Sequence, residues 1–301
     1  MQLPRPGRVA IAACALLLAT APARTASTAR SGGTGPGKVP DLPGIRRDGS
    51  ILLPNQWSLR PAGKHLPVGD FPVHLAVHPG GRYAILLHAG YGQHELVVVH
   101  LADFRIVSRT ALAETFYGVA FSADGRRVFA SGAGSEVVHR FDFSEGLLAN
   151  PLAIEVRPVQ ERGIVSGVAV SPDGRRLFTT ELYGGLVSEF DASTGARRWS
   201  APVGVLGQAS LAETRVPGDF DQAAAEKRAI AQKDPQSPAA PYPYACAFDA
   251  VQDRLYVTLW AQATVVVLDT ANGRELARWR TEEHPNELLL NRAGTVLYVA
   301  N

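Results

Sequence analysis

The chain has 301 residues, 46% of them hydrophobic and 19% charged. That is enough apolar material for a full core, which excludes a disordered chain or a disulfide-stapled miniature. Net charge is +2, but seven basic residues (Arg5, Arg8, Arg24, Arg30, Lys38, Arg46, Arg47) precede residue 51, against Asp41 and Asp48. The remainder holds 23 basic and 26 acidic residues. It lacks the basic surplus with which a nucleic-acid binder replaces counterions, so no nucleic-acid partner is expected.

The N-terminus has the form of an export signal. Two arginines lie in the first eight residues, and an apolar run of 13 residues follows, Val9–Ala21 (VAIAACALLLATA). As a helix this run rises about 20 Å, short of a hydrocarbon core of roughly 30 Å. Ala21-Pro22-Ala23 places small residues where a signal peptidase reads. Residues 1–23 therefore read as a cleaved signal peptide. A periplasmic or secreted protein is expected, with no membrane span after cleavage. Ile11-Ala12-Ala13-Cys14 also resembles a lipoprotein cleavage site, but only five apolar residues precede Cys14, so anchoring there is the lesser reading. After cleavage Cys246 is alone and cannot form an internal disulfide. Its apolar surroundings suit a small buried hydrophobe. Residues 24–50, rich in Gly, Ser, Thr, Pro and Arg, read as a flexible lead segment.

An internal repeat then sets the fold. LAVHPGGRYAILL starts at Leu75, VAFSADGRRVFAS at Val119, VAVSPDGRRLFTT at Val168, CAFDAVQDRLYVT at Cys246 and LLLNRAGTVLYVA at Leu288. The turns begin at His78, Ser122, Ser171, Asp249 and Asn291, spaced by 44, 49, 78 and 42 residues. One propeller blade takes roughly 40–50 residues, so the long spacing is a blade plus an insertion. Each unit predicts four strands. Second strands are expected at Tyr83–His88, Val128–Ser131, Leu177–Thr180, Leu255–Leu259 and Val296–Ala300, and third strands at Leu96–Leu101, Val137–Phe143, Leu186–Asp191 and Thr264–Asp269. DASTG (Asp191–Gly195) and DTANG (Asp269–Gly273) predict turns closed by the Asp side chain. Polar fourth strands such as Arg105–Thr110 and Arg274–Arg280 belong at the rim. First strands that are apolar on both faces are explained by blades stacked around an axis. The expected class is all-β: a β-propeller of four-stranded blades over residues 51–301, with four and a half blades in this chain. A sandwich or barrel does not explain the repeat.

LYVT at Leu255, TVVVLDTANGRELARW from Thr264 and LYVAN at Leu297 resemble the YVTN-type, YncE-like β-propellers of exported bacterial proteins. Leu259 stands where that family usually has Asn, and Ala300 replaces its Thr. Residues 51–101 resemble the entry of bacterial proteins that join such a propeller to a phosphoesterase domain of the alkaline-phosphatase type. The resemblance implies a ring of about seven blades and a phosphoesterase beyond Asn301. No residue of this chain is expected to carry that activity. A hairpin without its outer strands leaves an unpaired edge, so the chain is expected to be part of a longer product, with Ile51–Leu66 closing the ring.

The insertion, residues 201–243, contains an Ala-rich helical stretch, Gly218–Asp234, with early acidic and late basic residues. Four prolines follow, from Pro235 to Pro243. It leads onto the channel-mouth face, as a surface elaboration or a lid. The same face collects Tyr91, His94, Tyr183, Tyr242, Tyr244 and Trp260, aromatics able to stack on a ligand or to seal blade junctions. One column of strand one reads His74, Gly118, Gly167, Ala245 and Glu287, so His74 and Glu287 are candidates to face the channel. His65, His74, His78, His88, His94 and His100 follow no ligand spacing, and His78 takes the turn position of Ser122 and Ser171. No metal, cofactor or catalytic residue is expected. The expected function is a binding or scaffold module whose channel mouth meets a small molecule, glycan or protein. The alternatives are a lactonase-like propeller hydrolase with a channel site, and a surface-layer structural protein.

Overall fold

A computed structural model of the chain describes residues 41–60, 62–204, 240–291 and 293–301. The signal peptide, the start of the lead segment and the helix expected at 218–234 lie outside the described residues. Two compact units are distinguished, one ending at Pro67 and the other running from Val68 to Asn301. The first holds a small antiparallel meander of β1 (Gly44–Ile45), β2 (Ile51–Leu52) and β3 (Ser58–Leu59).

Among the described residues from Val68 onward, the chain forms four four-stranded antiparallel sheets and one hairpin, each in simple sequence order. Blade 1 is β4 (Pro72–Val77), β5 (Tyr83–His88), β6 (Glu95–His100) and β7 (Arg105–Ala111). Blade 2 is β8 (Val119–Phe121), β9 (Arg127–Ser131), β10 (Val137–Ser144) and β11 (Leu147–Glu155). Blade 3 is β12 (Val165–Val170), β13 (Arg176–Glu181), β14 (Leu186–Asp191) and β15 (Arg197–Pro202). Blade 4 is β16 (Pro243–Asp249), β17 (Arg254–Leu259), β18 (Thr264–Asp269) and β19 (Glu275–Arg280). The half blade is β20 (Glu287–Leu290) and β21 (Leu297–Ala300). The molecule is thus an all-β propeller, and the expected strands fall within about a residue of those observed.

The turns show why these sequences reverse. In SADGR and SPDGR the Ser122 and Ser171 hydroxyls donate to Asp124 and Asp173, at 2.6 and 2.5 Å, while accepting the amides of Arg127 and Arg176. His78 does the same work, its Nδ1 accepting the Gly80 amide at 2.9 Å. Asp191 Oδ1 accepts the amides of Ser193 and Thr194 and both their hydroxyls. Those bonds hold its carboxyl far below the usual range.

The core lies between blades. One apolar cluster joins Ile85, Leu87 and Val98 of blade 1 to Val119, Val128 and Phe141 of blade 2. A second joins Phe129 and Val138 to Leu177 and Phe190, a third Phe178 and Val187 to Leu255 and Val266, and a fourth Tyr256 and Val267 to Leu288. The expected burial of first strands on both faces holds for β12, which has a blade on each side, whereas β4, β8 and β16 are only partly covered. The second and third strands, such as β6, β13 and β18, are buried almost throughout.

Near the axis the first strands approach very closely. A Cβ on Gly118 would lie 2.5 Å from the Ser166 carbonyl, and one on Gly167 would lie 2.6 Å from the Tyr244 carbonyl. Those carbonyls are inter-blade acceptors. Ser166 O takes the Gly118 amide at 2.8 Å, and Tyr244 O takes the Ser166 and Thr180 hydroxyls at 3.0 and 2.9 Å. Gly118→Ala and Gly167→Ala must each push one blade off the next. Both are expected to cost about 1–3 kcal/mol or more. Gly80→Ala, whose Cβ would meet only the His78 ring, is expected to cost markedly less. Urea denaturation of the three variants checks the ordering.

Candidate functional site

The strand-one column brings its two polar members together across the channel. His74, from blade 1, places Nε2 3.2 Å from Glu287 Oε2, from the half blade. His74 Nδ1 lies 3.0 Å from the Tyr117 carbonyl, so that nitrogen carries a proton and donates. The Tyr117 hydroxyl donates to the same Glu287 Oε2, and Glu287 Oε1 accepts the Leu288 amide at 2.9 Å. The His74 and Tyr117 rings stack, with centroids 4.7 Å apart and planes 10° from parallel. Tyr244 packs on Tyr117 at 4.6 Å, and Phe116 on Tyr244 at 5.5 Å.

Electrostatics make this cluster a latch. Burial pushes the Glu287 carboxyl up, but the hydrogen bonds from His74 and Tyr117 outweigh burial and hold it below the ordinary carboxylate value. Burial, then Glu287, drives the Tyr117 phenol far up, and Tyr244 shifts the same way for the same causes. Burial also raises the Cys246 thiol far above its ordinary value, with Glu287 adding to the shift, so Cys246 is no thiolate nucleophile. The Tyr117 hydroxyl and the Leu288 amide donate to the Glu287 oxygens, and the phenol keeps its proton. The arrangement fixes blade 1 against the half blade and presents a polar floor. A cleft of about 550 Å³ opens beside it, lined by Pro72, Val73, His74, Leu86, Glu287 and Leu289.

The mouth face carries a second group. Tyr183 and Tyr242 meet at 5.7 Å, Tyr242 and Trp260 at 6.4 Å, both edge-to-face, and Trp260 stacks on His284 at 4.0 Å. Tyr183 follows β13, Trp260 opens a 3-10 turn after β17, and Tyr242 and His284 precede β16 and β20. Phe71, Ile164, Tyr242 and His284 all take left-handed backbone, with φ between 44° and 60°, at corresponding bends ahead of strand one. Proline follows three of them, where a first strand residue needs no ladder donor.

The other predicted residues are placed differently. Tyr91 is fully exposed and lies with Phe71, itself 64% exposed, on blade 1. His94 is held internally, Nδ1 accepting the Thr115 amide at 2.8 Å and Nε2 facing the Gly90 carbonyl at 3.1 Å. Tyr244 belongs to the axis cluster and not to the mouth aromatics. Among the described residues no three His, Cys, Asp or Glu side chains converge as metal ligands. His88 is fully buried beside Glu95 at 3.2 Å, and His100 bonds Asp103 at 2.5 Å. Sequence reasoning missed Tyr117, which stands one residue before the small-residue column, in register with Tyr244. It also missed a buried clasp between blades 2 and 3. There Arg157 pairs with Glu181, in a sleeve formed by Gly163 and Gly184. Burial raises the Glu181 carboxyl, Arg157 opposing, and burial likewise raises Glu136, opposed by the Ile164 amide.

Comparison with known proteins places this geometry in a fold. No family model matches the chain, and no curated protein matches it in sequence. Solved structures do. Virginiamycin B lyase from Staphylococcus aureus is 12% identical over 77% of this chain and 63% of its own, with a TM-score of 0.53. The Swd1 β-propeller domain of Myceliophteria thermophila is 11% identical over 77% and 62%, with a TM-score of 0.53. A 6-phosphogluconolactonase-like protein from Bacteroides uniformis is 13% identical over 84% and 70%, with a TM-score of 0.54. The likeness is one of fold, and the chain spans less than two thirds of the lyase and of the Swd1 domain.

The latch predicts a pH signature. A carboxyl whose folded value is depressed contributes stability above its unfolded value, near 4.5, and loses it as pH falls through the lower folded one. Glu287→Gln is therefore expected to be less stable than the parent by about 0.5–1 kcal/mol at pH 7, given its partial exposure. The difference is expected to narrow as pH falls below 4.5 and to close once pH is below the lower folded value. Denaturation curves at pH 7, 5 and 3.5 check it.

Proposed function

We propose that this chain is the binding or scaffold propeller of an exported protein, and that ligand or partner meets the mouth face. The observation that carries this reading is the group of exposed and partly exposed aromatic side chains that meet there: Tyr183, Tyr242 and Trp260. Aromatics with a polar tip suit a surface that is wet when free and covered when bound. The YVTN-type resemblance and the N-terminal signal support export.

We further propose that the complete ring has about seven blades and that a phosphoesterase domain follows. Support comes from the apolar side chains left open on the two end strands. Leu75 and Val77 of β4 are 48% and 54% exposed, and Leu289 of β20 and Tyr298 of β21 are 65% and 43% exposed. Further blades between β4 and β21 would cover both faces and pair the free edge.

A lactonase-like hydrolase is the second reading, favoured by the meeting of His74 and Glu287. The hydrogen bonds that Tyr117 and Leu288 donate to Glu287, and the raised Tyr117 phenol, weigh against proton transfer there.

The test is the intact mass of the mature protein from its native periplasmic or secreted fraction, with a phosphomonoester assay on the same sample. The proposal expects a species lacking residues 1–23, well above 32.1 kDa, with metal-dependent phosphoester hydrolysis. A cytoplasmic protein, or an exported one near 30 kDa without that activity, would overturn it.

A further inference from the structure

Two buried carboxylates and one guanidinium meet where blades 2 and 3 join. Glu136 stands between β9 and β10, Arg157 follows β11, and Glu181 ends β13. Glu136 is 0% exposed, Glu181 1% and Arg157 8%. Arg157 Nη2 contacts Glu181 Oε2, and Glu181 Oε1 accepts the Ser188 hydroxyl at 3.0 Å. Glu136 Oε1 accepts the Ile164 amide at 2.9 Å, while its Oε2 has no hydrogen-bond partner among the described residues. Two glycines make room for the guanidinium. A Cβ would lie 2.7 Å from Arg157 Nε at Gly163, and 2.9 Å from Arg157 Nη2 at Gly184. The Gly163 carbonyl accepts the amides of Tyr183 and Gly184, at 2.8 and 3.2 Å, and the Ile164 carbonyl accepts that of Leu182 at 2.9 Å. The loop that carries Tyr183 is therefore bonded to the connection that Glu136 holds.

The buried charges do not balance. Arg157 is committed to Glu181, and its Nε comes only within 3.9 Å of Glu161, whose side chain is 55% exposed. Arg197 also acts on Glu181, but that residue is exposed and its guanidinium donates to the Val156 carbonyl. The two charges that act most on Glu136 are Arg157 and Glu181, and they oppose each other. Arg162 on the same connection is exposed, as is Glu114, whose carboxylate approaches Gly134. His139 shares a face of β10 with Phe141 and so turns toward blade 1, where burial lowers its pKa. The amides of Ile164 and Gly163 favour an ionised Glu136, but burial outweighs them. A buried carboxylate without a counter-charge of its own is costly, and a proton removes the cost. We infer that Glu136, Arg157 and Glu181 form a proton-binding clasp: Glu136 takes up a proton at its unpartnered Oε2, and acidification thereby stabilises the junction of blades 2 and 3. A carboxyl whose folded value lies above the unfolded one, near 4.5, destabilises the fold at pH above that folded value. The destabilisation is relieved as pH falls toward 4.5, opposite in sign to the contribution of Glu287.

The experiment titrates the full protein by NMR, following the side-chain carboxyl carbons of its glutamates, each traced to its own assigned backbone. This reads Glu136 directly in the parent and needs no variant to fold. Glu136 is expected to hold its proton to higher pH than exposed glutamates such as Glu114, Glu161 and Glu282. Urea denaturation of the parent and of Glu136→Gln at pH 8 and pH 4 supplies the second reading. Glutamine keeps the oxygen that accepts the Ile164 amide and removes the charge. The ratio of the parent's unfolding constant to that of Glu136→Gln is expected to be about fivefold or more larger at pH 8 than at pH 4. Titration of Glu136 together with the exposed glutamates, or below them, would overturn the assignment of the proton. A ratio that is the same at both pH values, or that changes in the opposite direction, would overturn the coupling of that proton to the fold.

Discussion

The structure depends on how closely the first strands of neighbouring blades approach. At Gly118 and Gly167 the backbone of one blade touches carbonyl oxygens of the next, and no side chain fits between them. Those carbonyls accept hydrogen bonds from the neighbouring blade, so the approach satisfies buried polar groups as well as filling space. Everything farther out follows from that spacing. The second and third strands are brought face to face, and their Val, Leu, Ile and Phe side chains form clusters that belong to blade junctions and not to single blades.

The same spacing determines what the axis can hold. Where the column is glycine or alanine the strands close up. Where it is His74 or Glu287 the side chains reach into the channel and meet, with Tyr117 and Tyr244 packed against them. A carboxylate that is partly buried must be compensated, and Glu287 is compensated by an imidazole, a phenol and an amide. The contact joins residues 213 positions apart, so it reports on the curvature of the whole array. Around the mouth, by contrast, the aromatic side chains come from bends and loops and pack on one another.

Much of this was legible in the sequence because the repeat is punctuated. SADGR, SPDGR, DASTG and DTANG each encode a turn through a side chain that bonds its own backbone, and the strands fall between those turns. The glycine column was visible too, and with it the placing of His74 and Glu287. Their meeting was not, because propeller curvature decides which columns face one another and no local pattern records it. Tyr117 escaped notice because the alignment keyed on Gly118 beside it. Arg157 and Glu181 escaped because each looks like a surface charge until Gly163 and Gly184 are seen to make room for the guanidinium. Strand burial was legible in part: β12, between two blades, is buried on both faces as its apolar composition suggests, but composition does not record that β4 has no blade packed beyond it among the described residues.

The measurement that bears most directly on this account is a double-mutant cycle between His74 and Glu287. It is read as unfolding free energy at pH 7 for His74→Gln, Glu287→Gln and the pair. If blades 1 to 4 and the half blade curve around one axis as described, the two substitutions share a contact and their effects are coupled, by about 0.5–1 kcal/mol or more. Effects that add to within about 0.3 kcal/mol would mean that the two side chains do not meet, and the axial arrangement of the blades would be wrong.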